Sequence, residues 1–120
     1  MLENKFFIEL KTYVFKLFKD SLPTKVVYHN FNHTLQVVEA SNEIAKAEQI
    51  SESDLEVLLM AAWFHDTGFT VGHKNHEEFS KKIAEDYLKE KGISDKKIEH
   101  VISIINATKM PQNPTNRSEE

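Results

Sequence analysis

Trp63-Phe64-His65-Asp66-Thr67-Gly68 closes an apolar run whose inward positions, Leu55, Leu58, Leu59 and Ala62, fall at helical spacing. Continuing that series by the same three- and four-residue steps lands on His65 and Asp66, so the doublet extends a buried stripe rather than a solvated face. Ser53, with Glu56 three residues later, predicts the helix start as a capping box. Gly68, free to take positive φ, predicts its end. A buried aspartate beside a buried histidine is costly unless its charge is paired or coordinated. The rest of the chain is read by asking what stands beside that pair.

The surrounding composition is that of one ordinary globular domain: 120 residues, 40% hydrophobic and 28% charged. A chain of this length buries roughly 65% of the surface its unfolded form exposes, enough for a real core without metal or disulfide staples. Cysteine is absent, which excludes a disulfide framework and any thiolate site. The 15 basic and 19 acidic residues are scattered, giving a net charge of -4, with no basic run longer than pairs such as Lys96-Lys97. That distribution argues against a nucleic-acid polymer as partner. No apolar stretch approaches the roughly 18 residues of a membrane span, and the opening Met1-Leu2-Glu3-Asn4-Lys5 is not that of a signal peptide. The expectation is a cytoplasmic protein with no membrane partner.

Four further helices are expected around the central run. Residues 2–19 carry Phe6, Leu10, Tyr13, Val14 and Leu17 at helical spacing, with Phe7, Phe15 and Phe18 off that stripe. A helix apolar on two sides is either sandwiched inside its domain or offers a surface to another copy, so a homodimer through this helix is one expectation. Ser21-Leu22-Pro23 ends it, because proline disfavours helical geometry at the residue before it. Tyr28-His29-Asn30-Phe31-Asn32-His33-Thr34 then leads into a second helix reaching about Glu48, with His33, Val37, Ala40, Ile44 and Ala47 on one face. His29 stacks one turn above His33 if this helix starts early, and projects from the entry loop otherwise. Asn75 with Glu78 predicts another capped start. The helix that follows turns His76, Phe79, Ser80, Ile83, Ala84 and Tyr87 inward and ends at Lys91-Gly92. Ser94 caps a fifth helix whose apolar face is Ile98, Val101, Ile102 and Ile105, with His100 opposite. No strand, repeat or low-complexity segment is found, so the fold class is all-α, a bundle of about five helices. Met110 to Pro114 reads as a linker, and Thr115 to Glu120 as the capped start of a helix.

Taken singly, an inward histidine is usually a hydrogen-bonded core residue, a His-Asp dipeptide means little, and Asn75-His76 has a sufficient role in capping. Together, His33, His65, Asp66 and His76 are three inward histidines and an aspartate at helix ends, as expected if several ends converge on one polar pocket. A divalent cation would satisfy the buried pair. Imidazole with carboxylate suits manganese, iron or zinc and, with more water, magnesium.

At that combination the chain resembles the HD-domain superfamily, metal-dependent phosphohydrolases named for a His…His-Asp…Asp ligand set on a helical bundle. The matching residues are His33 for the first histidine and His65-Asp66 for the doublet. Tyr28-His29-Asn30-Phe31-Asn32-His33 also resembles the Tyr-His-Asn-x-x-His signature of cyclic-nucleotide phosphodiesterases, which share the fold core. Asn75-His76-Glu77-Glu78 and Asn106-Ala107-Thr108-Lys109 resemble segments of small bacterial HD phosphohydrolases. The resemblance implies a single HD domain with its core at 28–109 and metal ligands His33, His65 and Asp66. It implies His29 as general acid, Asp66 as orienter of the nucleophile if a second metal enters, and His76 or Lys109 on the phosphate. The implied reaction is hydrolysis of a nucleotide or other small phosphoester by metal-activated water.

The chain departs from the family pattern in having no aspartate after Asp95, which leads to the expectation that it stops just before the segment carrying the last ligand. Guanosine tetraphosphate hydrolysis is not favoured, since the Glu-Asp pair those HD enzymes carry after the doublet is not evident. Two other readings stand beside the hydrolase: an HD fold used as a binding or signalling module without turnover, and a di-iron oxygenase on the same fold.

Overall fold

In the computed structural model, residues 4–72 and 75–108 are described; Lys109, His73 and the expected linker and terminal helix start lie outside them. The described residues form five α-helices and no strand: α1 Lys5–Ser21, α2 Thr24–Ala47, α3 Glu52–Phe64, α4 His76–Glu90 and α5 Asp95–Thr108. A short 3-10 turn, Thr67–Thr70, joins α3 to the approach to α4. None of these helices is long and apolar enough to cross a membrane.

α3 is the axis of the bundle. From Leu59 to Phe64 every residue is buried, because α1, α2, α4 and α5 all pack on it. A helix apolar on every side is stable only when surrounded, and this one carries the doublet at its C-terminal end. Its start lies two residues earlier than the sequence predicts. The Ser51 hydroxyl accepts the Asp54 N–H at 3.1 Å, so the cap is Ser51 and not Ser53. Glu56 is engaged elsewhere, with the Lys97 ammonium of α5 at 2.8 Å.

The inward phase of α1 also differs from the expected stripe. Phe7, Leu10, Val14 and Phe18 are buried, which brings two of the phenylalanines read as off-stripe into the core. Phe6, Tyr13 and Phe15 pack on that core from the flanks, and the outer face of the helix is exposed, with Ile8 its exposed large apolar residue. Phe15 meets Phe31 edge to face at 5.0 Å between ring centres, and Phe31 in turn lies 6.1 Å from Trp63.

α2 begins directly after Pro23, whose carbonyl accepts the Val26 and Val27 N–H groups. The segment 28–34 is therefore helical, the earlier of the two starts the sequence allows. Valine, tyrosine, histidine and asparagine all have weak helix propensity, and burial of Val27, Thr34, Val38, Asn42 and Ala45 overrides it. That stripe replaces the expected His33, Val37, Ala40, Ile44 and Ala47 face, of which Ile44 is largely exposed. His33 consequently stands at the margin of the buried face instead of heading it.

Gly68 does not end a helix by positive φ; α3 has already stopped at Phe64, and Gly68 sits within the 3-10 turn. Its missing side chain serves close approach. A Cβ there would collide with the His76 carbonyl oxygen and stand 2.7 Å from the Ser80 amide nitrogen. Asn75 is likewise not a side-chain cap: it lies in the left-handed region at φ 60°, which asparagine tolerates better than most residues, and makes no capping hydrogen bond. α5 follows the expected pattern, with Ile98, Val101 and Ile105 buried, and the Ser94 hydroxyl accepts the Lys97 N–H.

Candidate metal centre

The site forms where the end of α3 meets the middle of α2 and the start of α4. His65 caps α3, and its Nδ1 lies 2.7 Å from the Ala62 carbonyl one turn back. A carbonyl only accepts, so Nδ1 carries the hydrogen and Nε2 is the free ring atom. That Nε2 stands 3.2 Å from Asp66 Oδ2, and His33 Nε2 approaches the same oxygen at 3.4 Å. His65 and Asp66 are buried, whereas the His33 side chain is 50% exposed and opens the cluster to solvent.

These distances carry information. Charge-assisted N–H···O bonds run about 2.7–2.9 Å, shorter than either contact. Two donors bound to one cation at about 2.0–2.2 Å stand roughly 3.0–3.5 Å apart, which both contacts match. One ligand atom from each of His33, His65 and Asp66 lies within 4.8 Å of the others. Asp66 Oδ1 is buried without a hydrogen-bond partner among the described residues. A neutral imidazole nitrogen facing a carboxylate oxygen is repulsive unless a positive charge lies between them. The donor set therefore fits a divalent cation.

Without metal that charge is a proton. Burial opposes charge on His65, but its hydrogen bond and attraction to Asp66, with the Ala62 carbonyl, outweigh burial and raise its pKa above 6.5. Burial also opposes charge on Asp66, yet the contact with His65 and the charges of His65, His33 and His76 hold its pKa below 3.8. Linkage fixes the sign. The His65 contribution to stability is fully present below 6.5 and is lost as pH rises through the raised value. The Asp66 contribution is present above 3.8 and is lost as pH falls through the depressed value. Chelator-treated protein should thus lose the pair's contribution as pH climbs above 6.5, where a divalent ion competes with fewer protons. Melting curves at pH 6 and pH 8 with and without Mn²⁺ should show the larger metal-induced rise at pH 8; an equal rise at both would contradict the shared proton.

Of the other candidate residues, His76 lies close enough for its charge to act on Asp66, with its ring stacked on Phe69 at 3.9 Å and Nδ1 3.7 Å from a Glu77 oxygen. His29 is exposed on α2, one turn before His33, and the early helix start settles which of its two expected positions it takes. Lys109 lies outside the described residues. His100 is exposed on α5.

Sequence reasoning passed over Ser80. Its hydroxyl, fully buried, accepts the Gly68 N–H at 2.8 Å and donates to the His65 carbonyl at 2.9 Å. The available signal was a serine in an inward stripe among Phe79, Ile83 and Ala84, since a buried hydroxyl must find a partner.

A family model described as HD domain matches residues 30–117, most of the chain. The span includes His33, His65, Asp66 and His76 and starts one residue after His29. Among curated proteins and among solved structures, no match was found.

Proposed function

The chain belongs to the HD-domain family, a family commonly hydrolytic and metal-binding, and on that premise we propose that it hydrolyses a nucleotide or other small phosphoester. The observation that supports this reading most is the convergence of His33 Nε2 and His65 Nε2 on one oxygen of the buried Asp66. His33, His65 and Asp66 would hold a divalent ion, which would supply the Lewis acidity that activates water and polarises a phosphoryl oxygen.

The chain's own residues do the rest. The Ala62 carbonyl fixes the His65 tautomer, so Nε2 stays available as a ligand. Asp66 is the carboxylate we assign to orienting the attacking water, and its buried Oδ1 has no other partner among the described residues. The half-exposed His33 leaves one side of the cluster open, and a phosphoester enters from there. To His29, one turn earlier on that helix, we assign protonation of the leaving oxygen, and to His76 and Lys109 the binding of the phosphate.

The test is hydrolysis of a nucleotide panel and of p-nitrophenyl phosphate by chelator-stripped protein resupplied with Mn²⁺, Fe²⁺, Zn²⁺ or Mg²⁺. Activity should return with metal and vanish with chelator. His29→Ala should lower kcat on nucleotides by roughly 10²–10⁴-fold with metal content unchanged. The loss should be much smaller on p-nitrophenyl phosphate, whose leaving group needs no proton. Metal binding without turnover of any phosphoester would replace this reading with a metal-holding binding module.

A further inference from the structure

We propose that Ser80 is the positioning residue of the doublet, acting from α4 through the backbone that carries His65 and Asp66. The inference rests on the metal-holding reading of that doublet. One hydroxyl spans the turn: it takes the Gly68 N–H and gives its hydrogen to the His65 carbonyl, fixing both ends of the segment between them. The backbone conformation of residues 65–68 sets the directions in which the two ligand side chains leave the chain. His65 and Asp66 follow α3, so no helix of their own holds Asp66 in place. Thr67 does not do so either, because its hydroxyl is spent on the Phe64 carbonyl at 2.7 Å.

The clamp also sets register between elements. Gly68 lies directly against the His76 carbonyl and the Ser80 amide, with no side chain between the 3-10 turn and α4. α4 therefore slides or rotates only if the Ser80 bonds break. The same bonds that shape the doublet place the first turn of α4, and with it the His76 ring, beside Asp66. A serine required only for packing would fill space at this position; this one satisfies two backbone groups from a fully buried hydroxyl.

The experiment compares chelator-stripped wild-type protein with Ser80→Ala, Ser80→Cys and, as a destabilised control near the start of α3, the end opposite the doublet, Val57→Ala. Mn²⁺ affinity is read by calorimetry. The ring tautomer of His65 is read by nitrogen-15 NMR in metal-free protein at alkaline pH. Loss of a partner that orients a ligand typically weakens metal binding by roughly 10–100-fold, and Ser80→Ala should fall in that range while Val57→Ala keeps wild-type affinity. Wild-type His65 should show the Nδ1–H tautomer, and Ser80→Ala a mixture. A folded Ser80→Ala protein with unchanged affinity and tautomer overturns the proposal, and so does an equal affinity loss in Val57→Ala. If Ser80→Ala does not fold, Ser80→Cys carries the comparison: weakened affinity supports the clamp, and wild-type affinity overturns it. Wild-type protein that binds no Mn²⁺ would instead overturn the metal-holding reading, and the tautomer comparison would still decide on Ser80.

Discussion

Gly68→Ala should destabilise the protein by about 3 kcal/mol or more, at the upper end of what overpacking one methyl costs. The added Cβ would overlap the His76 carbonyl, and the next nearest atoms, the His76 carbonyl carbon and the Ser80 nitrogen, are each 2.7 Å away. All three are backbone, so no side chain can rotate aside, and relief requires moving α4 as a body. That movement breaks the Ser80 bonds to Gly68 and His65 in a buried site, where unpaired backbone groups are expensive. For a domain of this size the loss corresponds to a fall in Tm on the order of 10 °C. Gly92→Ala is the instructive contrast. Gly92 has open space around it but φ of 80°, so it tests conformational strain alone, and its cost should be about 1 kcal/mol. Thermal melts of the two variants that fell together by a similar small amount would show that the turn and α4 are not in contact as described.

Asp66→Asn should carry the largest functional effect, abolishing detectable metal binding. The substitution keeps size and removes the charge on which both Nε2 atoms converge. It also removes the partner that raises the His65 pKa, leaving burial, which lowers it, as the largest influence. Metal-free Asp66→Asn protein should therefore lack the alkaline loss of stability expected of the parent. Melting temperatures across pH 5 to 9, with and without Mn²⁺, read both effects. A variant that is still stabilised by Mn²⁺ would remove Asp66 from the ligand set.

Much of this arrangement was legible in the sequence because burial and chemistry pointed the same way. The stripe from Leu55 to Ala62 runs straight into His65 and Asp66, and both prove buried. The end of α1 at Leu22-Pro23 and the apolar face of α5 follow from proline geometry and from isoleucine and valine spacing. Reading failed where local propensity opposed the fold. Tyr28 to Asn32 are weak helix formers, which left the start of α2 open between an early helix and an entry loop, and the packing of Val27, Phe31 and Thr34 decides for helix. The expected α2 face was rotated by about one residue, so His33 was assigned inward although it is half exposed. Gly68 illustrates a different limit: sequence marks a glycine as permissive, but only the path of α4 shows that it is needed for space and not for φ. Ser80 was placed on the correct face with no hint of what it holds, because its partners, Gly68 and His65, lie twelve and fifteen residues away.

The central claim is that His65 and Asp66, with His33, form a metal-holding cluster. It is tested most directly by elemental analysis of wild-type and His65→Ala protein after identical reloading with Mn²⁺ and removal of excess metal. The account predicts about one bound metal per wild-type chain and none in His65→Ala. Equal metal content in the two proteins would contradict it.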